Sequence, residues 1–564
     1  MGTFNGVGVF PGRVVGPVKQ MLPAIPAPAA GQNRPGTITA EQASAALHEA
    51  AATVQKDLQQ RASQLSGDAK AVVEATALMA ADPMLLKTAK QFIDSGLSAE
   101  LATWQAAEGI ADTLRSLGGA MAERARDVSD VRDRLISELR GEPAPGIPVS
   151  SEPFILIADD LAPADTATLD PTMVLALITA SGGPQSHTAI IARSLGLPAI
   201  VAAAGVTTIE NGREVYLDGG TGVLNTEPSH EQRELSTAWA NKTATLTFDG
   251  EGKLADGTRL PLLANVGGAA EAIAARAANA EGIGLFRTEF LFLERDTEPT
   301  VEEQVRAYRA VFVAFADQLR RPKVVVRTLD AGADKPLPFL KKPEDLAEPN
   351  PALGLRGYRM VNQHRAILER QLQAIALAAE EVAVSVWVMA PMVSTAVEAT
   401  DFASLCRTAG LATSGVMIEV PSAALNAKQI LNEVDFASLG TNDLTQYTMA
   451  ADRQLGSLAS LNDSWQPAVL TLIQLSCQAA RGSSELGVCG EAAADPALAV
   501  VLAGLGVGSL SMTAHALPTV AKVLASISRT EAADLAALAV AARDAASARR
   551  SVRERLPILT EIGL

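Results

Sequence analysis

The 564-residue sequence predicts an α/β protein of several domains that ends in a (β/α)8 barrel. Apolar residues recur at spacings of three and four over residues 40–65, which is the period of one helix face. Residues 150–201 alternate apolar, strand-like runs with helical ones, which indicates an α/β layer. From about residue 255 onward, eight apolar runs each precede a helical pattern, the typical order of a barrel. A chain of this length is also too long for a single core.

The predicted organisation has four parts. Residues 1–35 and 144–227 form an α/β domain, because short β segments over 1–20 and the runs Phe154–Ala158, Val174–Ile178 and Pro198–Val201 are strand-like. An all-helical block, residues 36–143, is inserted into that domain, and its Asp82-Pro83 pair predicts an N-cap followed by proline at the first helical position. Residues 228–254 are a linker, helical over the glycine-free stretch 228–245, and residues 255–564 are the barrel.

The barrel prediction depends on eight candidate strands, each followed by a helical pattern. These are Leu260–Val266, Gly282–Arg287, Lys323–Asp330, Ser385–Val393, Gly415–Pro421, Phe436–Asn442, Leu486–Glu491 and Val507–Met512. The long, proline-containing gap between the third and fourth strands predicts a loop over the barrel mouth. The alanine-rich residues 530–550 are predicted to be one helix.

Composition excludes several classes of protein. Apolar residues make up 48% and charged residues 20%, which is typical of a globular chain. The net charge of −16 argues against general nucleic-acid binding. The three cysteines do not make a disulfide framework, so a reducing compartment is expected. No basic leader precedes an apolar core and no apolar stretch reaches about 18 residues, so we expect a cytoplasmic protein without membrane insertion.

One run places a histidine where a phosphoryl group could be carried. In Gly182-Gly-Pro-Gln-Ser-His187, the histidine follows a glycine pair and precedes a helical stretch that ends at Gly196. Glycine lets the backbone approach a ligand closely, and a helix N-terminus offers unpaired N–H groups to an anion. Neutral imidazole is a competent nucleophile near neutral pH. A histidine in such a turn is otherwise a capping or loop residue, so the surrounding run carries the functional interpretation.

Polar side chains also end the predicted barrel strands, where barrel enzymes carry out their chemistry. They are Arg287, Arg327, Asp330, Glu419, Asn442, Asp443, Cys489, Glu491 and Ser511. Two arginines suit a ligand with both phosphate and carboxylate groups, because a guanidinium binds either one bidentately. Glu419 and Asp443 are hard oxygen ligands of the kind that Mg²⁺ takes together with substrate oxygens.

The same runs carry a family resemblance. The histidine run, together with Gly284–Phe292, Arg327–Asp330, Asn350–Arg356, Gly440–Tyr447 and Gly487–Glu491, resembles the phosphoenolpyruvate-utilising enzymes. With the N-terminal Gly6–Gly12 run and the helical block, the whole chain resembles the enzyme I family of the sugar phosphotransferase system. The resemblance implies a transferase that passes the phosphoryl group of phosphoenolpyruvate to the carrier protein HPr and releases pyruvate. It also implies a homodimer formed through the barrel, with the helical block as the HPr-docking surface.

The resemblance implies a role for each site residue. His187 becomes the phosphorylated nucleophile, bonded through Nε2, and Thr166 hydrogen-bonds its imidazole. Cys489 protonates the enolate carbon as pyruvate forms. Phosphoenolpyruvate is held by Arg287, Arg327, Asn442, Asp443 and Arg453, with Arg356 either a further contact or a loop anchor. Mg²⁺ is the implied cofactor, on Glu419 and Asp443.

Two departures from the family pattern and two alternatives remain. Gln185 stands where the family has threonine or a similar small residue, and Ala333 stands at a family glycine.

The first alternative is an ATP-coupled relative, a phosphoenolpyruvate synthase or pyruvate phosphate dikinase, although no Gly-x-x-x-x-Gly-Lys-Ser/Thr loop occurs and only 186 residues precede His187. The second alternative is a regulatory paralogue without turnover, although such a protein would not need Cys489 or Asp443.

Overall fold

The structure is a computed structural model, and it describes residues 2–564 except 23–24, 30, 64–75, 118, 149, 162–168, 184–186, 244, 294, 296, 318, 333–336, 341–347, 349, 454, 456–457, 459 and 481–483. The chain divides into two compact units. Unit 1 comprises Met1–Gly16, Ala176–Val206 and Glu214–Leu564, and unit 2 comprises Pro17–Leu175 and Thr207–Arg213. The boundaries of these two units differ from those of the four predicted parts. The predicted domain boundaries therefore stay a prediction.

The elements before the barrel follow the predicted alternation. The strands are β1 (Thr3–Asn5), β2 (Val7–Phe10), β3 (Arg13–Gln20), β4 (Phe154–Ala158), β5 (Val174–Thr179), β6 (Ala199–Val201), β7 (Glu214–Asp218) and β8 (Val223–Asn225). The helices are α1 (Ala40–Ser63), α2 (Pro83–Asp94), α3 (Ala99–Leu117), α4 (Gly119–Arg140), α5 (His187–Leu195) and α6 (His230–Thr243).

Unit 2 contains the predicted helical block and one parallel strand pair. Val18 of β3 lies opposite Ile155 of β4. The helices bury a common core that includes Leu47, Ile93 and Val131. Asp82 caps α2 as its sequence predicts, because its carboxylate accepts hydrogen bonds from two backbone N–H groups of the first turn and Pro83 occupies the first helical position.

In unit 1 the segments outside the barrel form short paired strands, and α5 packs against β2 and β6. β1 and β7 each pair antiparallel with β8, β6 pairs parallel with β5, and β2 pairs antiparallel with β6. α5 begins at His187 and ends at Leu195, as the histidine run predicts. Gly196 then has φ +68, a left-handed conformation that glycine adopts without steric cost and that ends the helix.

The rest of unit 1 is the barrel and its helices. The strands are β9 (Leu262–Val266), β10 (Ile283–Arg287), β11 (Lys323–Arg327), β12 (Ser385–Ala390), β13 (Ser414–Ile418), β14 (Phe436–Leu439), β15 (Glu485–Val488) and β16 (Ser509–Met512). The helices are α7 (Ala269–Ala277), α8 (Val301–Phe315), α9 (Val361–Ala379), α10 (Ala396–Thr408), α11 (Pro421–Leu425), α12 (Ala427–Leu431), α13 (Thr441–Met449), α14 (Pro467–Ala480), α15 (Pro496–Leu505), α16 (Leu517–Leu524), α17 (Arg529–Val540), α18 (Ala545–Arg553) and α19 (Pro557–Glu561).

The eight strands close into a parallel barrel, so the predicted (β/α)8 fold is confirmed. Closure is made by β16 and β9, with Leu510 opposite Leu262. Large side chains fill the interior, among them Met389, Met417 and Phe436. Five of the eight strands end three residues before their predicted ends, and the other three end where predicted.

The predicted single helix over 530–550 is wrong in one respect. The structure has two helices, α17 and α18, separated by residues 541–544. Asp544 starts the second one: its carboxylate accepts a hydrogen bond from the backbone N–H of Ser547 at 2.7 Å. An aspartate that satisfies a backbone N–H in this way favours a helix start over a helix interior. Among the described residues, no helix is both long and apolar enough to cross a membrane.

Candidate active site at the barrel mouth

The barrel brings most of the predicted site residues to one end. Arg287 and Arg327 are the last residues of β10 and β11, and Glu419 and Cys489 directly follow β13 and β15. Because all eight strands run parallel, their carboxyl ends lie at the same mouth. Asn442 and Asp443 lie in the first turn of α13, just after β14, and Arg453 follows that helix.

An open cavity of about 260 Å³ occupies this mouth. Its walls include seven of the predicted barrel residues, though not Ser511: Arg287, Arg327, Glu419, Asn442, Asp443, Arg453 and Cys489. Glu289, Asp330 and Glu491 also line it. Arginines, carboxylates and a thiol therefore converge on a space large enough for a small anionic substrate.

Arg356 is fully buried and joins two carboxylates of the site. Its guanidinium donates to both oxygens of Asp330 at 3.0 and 3.1 Å and to both oxygens of Asp443 at 2.9 and 3.0 Å. Arg453 Nη1 adds a third contact to Asp443 at 3.1 Å. Burial alone would raise the pKa of Asp443, but Arg453 and Arg356 outweigh it and hold the pKa below its usual value. Arg356 therefore anchors the mouth here, and Asp443 stays ionised.

Arg327 and Glu289 form a second buried ion pair, and it is incomplete. Nη2 of Arg327 lies 2.5 Å from Oε1 of Glu289, and Nη1 lies 3.3 Å from Oδ2 of Asp330. Burial lowers the pKa of Arg327, yet the carboxylates of Glu289 and Asp330 raise it above its ordinary value overall. Nε of Arg327 and Oε2 of Glu289 are buried without a hydrogen-bond partner among the described residues. A water molecule or a bound ligand could satisfy these two atoms.

Arg287 is different from Arg327. Its side chain is half-buried, and it has no ion-pair partner within the described part of the chain. It lines the same cavity as Arg327. The mouth therefore offers one arginine that carboxylates already hold in place and one whose charge a substrate anion could neutralise.

Glu419 has the geometry of a ligand for a hard cation. Its Oε1 accepts a hydrogen bond from the backbone N–H of Met392 at 2.6 Å. Its Oε2 lies beside Gly440, where an added Cβ would lie 2.7 Å from that oxygen, so a larger residue at position 440 would crowd it. Burial first, and then Asp443 and Asp330, raise the pKa of Glu419 to about 8.

These donors fit Mg²⁺ bound together with a substrate. Mg²⁺ is commonly held by one or two carboxylates plus substrate phosphate and water, and Glu419 and Asp443 would supply the carboxylates. Among the described residues, no three His, Cys, Asp or Glu side chains form a ready-made metal site. Two carboxylates suit a cation that completes its coordination with phosphate oxygens and water.

Cys489 is a buried thiol that lines the cavity. Its side chain is 3% exposed, and its Sγ lies 3.6 Å from the carbonyl oxygen of Leu439. Burial raises the pKa of the thiol to about 11. The group therefore stays protonated at neutral pH, which suits an acid and not a thiolate nucleophile.

His187 is the first residue of α5, and its side chain lies outside the described part of the structure. Thr166, Gln185 and Ala333, to which the sequence also draws attention, lie outside the described residues as well.

Sequence reasoning missed Glu289 and left the role of Arg356 open. Glu289 lies two residues after the arginine that ends β10, inside a run that the resemblance includes, but nothing local reveals its pairing with Arg327. The backbone N–H of Met392, which holds Glu419, has no sequence signal at all. Met392 has φ +60, an uncommon backbone conformation for a residue with a side chain.

Known families match the chain over most of its length. Residues 243–529 match the family described as "PEP-utilising enzyme, PEP-binding domain", residues 150–222 its "mobile domain", and residues 5–124 its "N-terminal" part. A phosphoenolpyruvate-protein phosphotransferase of Streptomyces coelicolor is 49% identical over 556 residues, covering 98% of each chain. Proteins of the same name from Haloferax volcanii and Bacillus subtilis are 39% and 36% identical, over 83% of this chain and 83% and 85% of their own.

Proposed function

The chain belongs to the phosphoenolpyruvate-protein phosphotransferases, within the phosphoenolpyruvate-utilising enzymes, and from this membership we propose the reaction that it catalyses. It transfers the phosphoryl group of phosphoenolpyruvate to His187, releases pyruvate, and passes the group on to a histidine of HPr. This is the first step of the sugar phosphotransferase system. The observation that carries the proposal is the convergence on one cavity of six polar residues from five separate strand ends and of Arg453, which follows α13.

Substrate binding follows from the charges of the mouth. Arg287 and Arg327 bind the phosphate and carboxylate groups, because guanidinium groups recognise both by paired hydrogen bonds. Asn442 and Arg453 complete the wall. The phosphate or carboxylate would also satisfy the buried Nε of Arg327, which has no partner among the described residues. Glu419 and Asp443 would hold Mg²⁺, which when bound neutralises charge on the phosphoryl group.

The first half-reaction forms one bond and breaks one. Nε2 of neutral His187 attacks phosphorus, an N–P bond forms, and the bond between phosphorus and the enol oxygen breaks. The electron pair stays on the leaving enolate of pyruvate. Cys489 then donates its proton to the enolate carbon and is reprotonated from solvent. In the second half-reaction a histidine of HPr attacks the phosphoryl group on His187. A new N–P bond forms on HPr as the N–P bond to His187 breaks.

Four features belong to the same proposal. The helical block docks HPr, and the domain that carries His187 swings between the barrel and the carrier, which can limit turnover. The enzyme is a homodimer through its barrel. It acts in the cytoplasm, in keeping with three free cysteines.

The test is the intact mass of the purified protein with phosphoenolpyruvate and Mg²⁺ and without ATP. We expect one phosphoryl adduct on the parent and on the control His230→Ala, whose histidine is solvent-exposed, and none on His187→Ala. Adding HPr should discharge the adduct. An adduct that appears only with ATP would instead assign the protein to the dikinase class. The absence of any adduct would favour a regulatory paralogue. An adduct on His187 that HPr never removes would refute the proposal that HPr is the acceptor.

A further inference from the structure

A nearly buried ion pair links the helix that begins at His187 to the barrel mouth. Arg193 lies on α5, and its Nη1 lies 3.0 Å from Oε1 of Glu491. The two side chains are 9% and 18% exposed. Nε of Arg193 donates to the carbonyl oxygen of Val9 on β2 at 3.0 Å. One guanidinium therefore binds both the strands around α5 and the barrel.

Glu491 belongs to the substrate cavity. It follows Cys489 by two residues and lines the same space as Arg287 and Arg327. Its backbone N–H donates to Oδ1 of Asn442 at 3.3 Å. The partner that Arg193 has on the barrel is therefore held by a residue expected to contact phosphoenolpyruvate.

Two glycines bring both ends of α5 close to the barrel. A Cβ on Gly183, four residues before His187, would lie 2.7 Å from the carbonyl oxygen of Arg453. A Cβ on Gly196, just after the helix, would lie 3.0–3.2 Å from atoms of His515, which follows β16. The ion pair thus lies between two points at which the chain around α5 comes close to the barrel.

We propose that the Arg193–Glu491 pair is a latch that holds the His187 helix against the barrel mouth during phosphorylation by phosphoenolpyruvate. Both are positioning residues for this half-reaction alone, and the inference rests on the proposed function. The pair suits a contact that must open again. Each charge loses water when the pair forms and regains it on separation, so the attraction is offset by desolvation and docking stays reversible. The ion pair also depends on the relative orientation of its two groups, so it fixes the orientation of α5 at the barrel. A hydrophobic contact is not directional and would not do so.

The latch makes the two half-reactions separable. Phosphorylation by phosphoenolpyruvate needs α5 at the barrel mouth, so loss of the pair lowers the docked population and slows this step. Transfer from phospho-His187 to HPr needs α5 away from the mouth, so it does not use the pair. A purely structural role would instead alter both steps or the stability of the fold.

The test compares Arg193→Gln and Glu491→Gln with a matched control, Arg13→Gln. Arg13 pairs with Asp218 at 3.3 Å, and these side chains are 14% and 10% exposed, but neither residue belongs to the barrel. Rapid-quench kinetics would measure phosphorylation of each protein by phosphoenolpyruvate at saturating Mg²⁺. Longer incubation would then supply phosphoenzyme for single-turnover transfer to HPr. Unfolding midpoints would show that each variant is folded.

We expect each latch variant to be phosphorylated about 10- to 100-fold more slowly than the parent, as for truncation of a largely buried charge pair. Transfer to HPr and the control should keep the parent's rates. The double variant Arg193→Gln/Glu491→Gln should lose no more than either single one, because the same interaction is removed. Equal slowing of both half-reactions, or latch variants as fast as the parent, would overturn the latch. A parent that phosphoenolpyruvate never phosphorylates would instead refute the proposed function on which the latch rests.

Discussion

Replacing Cys489 with alanine tests whether its thiol is the acid that protonates the enolate. The proposed reaction leaves an enolate, and the proposal gives the thiol of Cys489 the role of protonating its carbon. Removing a positioned acid or base commonly costs about 10²- to 10⁴-fold in rate. We therefore expect Cys489→Ala to form pyruvate more slowly than the parent by a factor in that range. Phosphoenolpyruvate binding should change little, because the arginines of the mouth remain.

The burial of the thiol fixes the pH range of this effect. A rise in its pKa from 9.0 to about 11 corresponds to about 3 kcal/mol in favour of the protonated form. At pH 8 about one thiol in a thousand is then ionised, against about one in ten for a thiol with a pKa of 9.0. The acid form is full below about pH 10 and is lost only as the pH rises through 11. The parent's rate should therefore show no thiol-dependent fall between pH 7 and pH 9.

The assay is rapid-quench measurement of pyruvate at saturating phosphoenolpyruvate and Mg²⁺, across that pH range. Cys406→Ala is the matched control, because its thiol is also buried with a pKa raised to about 12 but does not line the cavity. Two results would refute the reasoning. One is a Cys489→Ala variant as fast as the control, and the other is a parental rate that falls with an apparent pKa near 9 that the variant lacks.

Two further predictions concern the carboxylates of the mouth. Because the pKa of Glu419 is raised to about 8, its proton competes with Mg²⁺, and the apparent Mg²⁺ affinity should rise about fivefold between pH 7 and pH 8 and level off above about pH 9. Calorimetry in two buffers of different ionisation enthalpy would detect the released proton, and an affinity independent of pH would contradict the argument. Replacing Arg356 with methionine leaves Asp330 and Asp443 buried with fewer partners, so the free energy of unfolding should fall by about 3–5 kcal/mol. Urea unfolding would measure this against Arg365→Met, whose exposed ion pair should contribute less than about 1 kcal/mol.

The barrel and the approximate positions of its mouth residues were predictable because both signals are local. Apolar runs of strand length followed by helical periodicity mark each β/α unit, and the residue after the run lies at the carboxyl end of the strand. Glu419 and Cys489 were placed at the mouth in this way. The break between α17 and α18 was missed because the alanine-rich composition masked the capping aspartate, Asp544.

The pairing of charges was not predictable in the same way. Arg356 and Asp443 are 87 residues apart, and Arg193 and Glu491 are 298 apart. No spacing rule connects such positions, since barrel closure alone decides which strand ends become neighbours. The same holds for the pKa values of Glu419 and Cys489, whose main cause is burial by distant parts of the chain.

By itself, the sequence determined the fold class, the residue types at the strand ends and the helix that begins at His187, because each of these depends on neighbours within a few turns of chain. Only the tertiary structure decided which charges compensate one another. It leaves Arg287 without an ion-pair partner among the described residues, encloses Arg356 between two carboxylates and sets Arg193 against Glu491. The physical reason is that electrostatic energies depend on distance and on exclusion of water, and both are set when remote segments pack together.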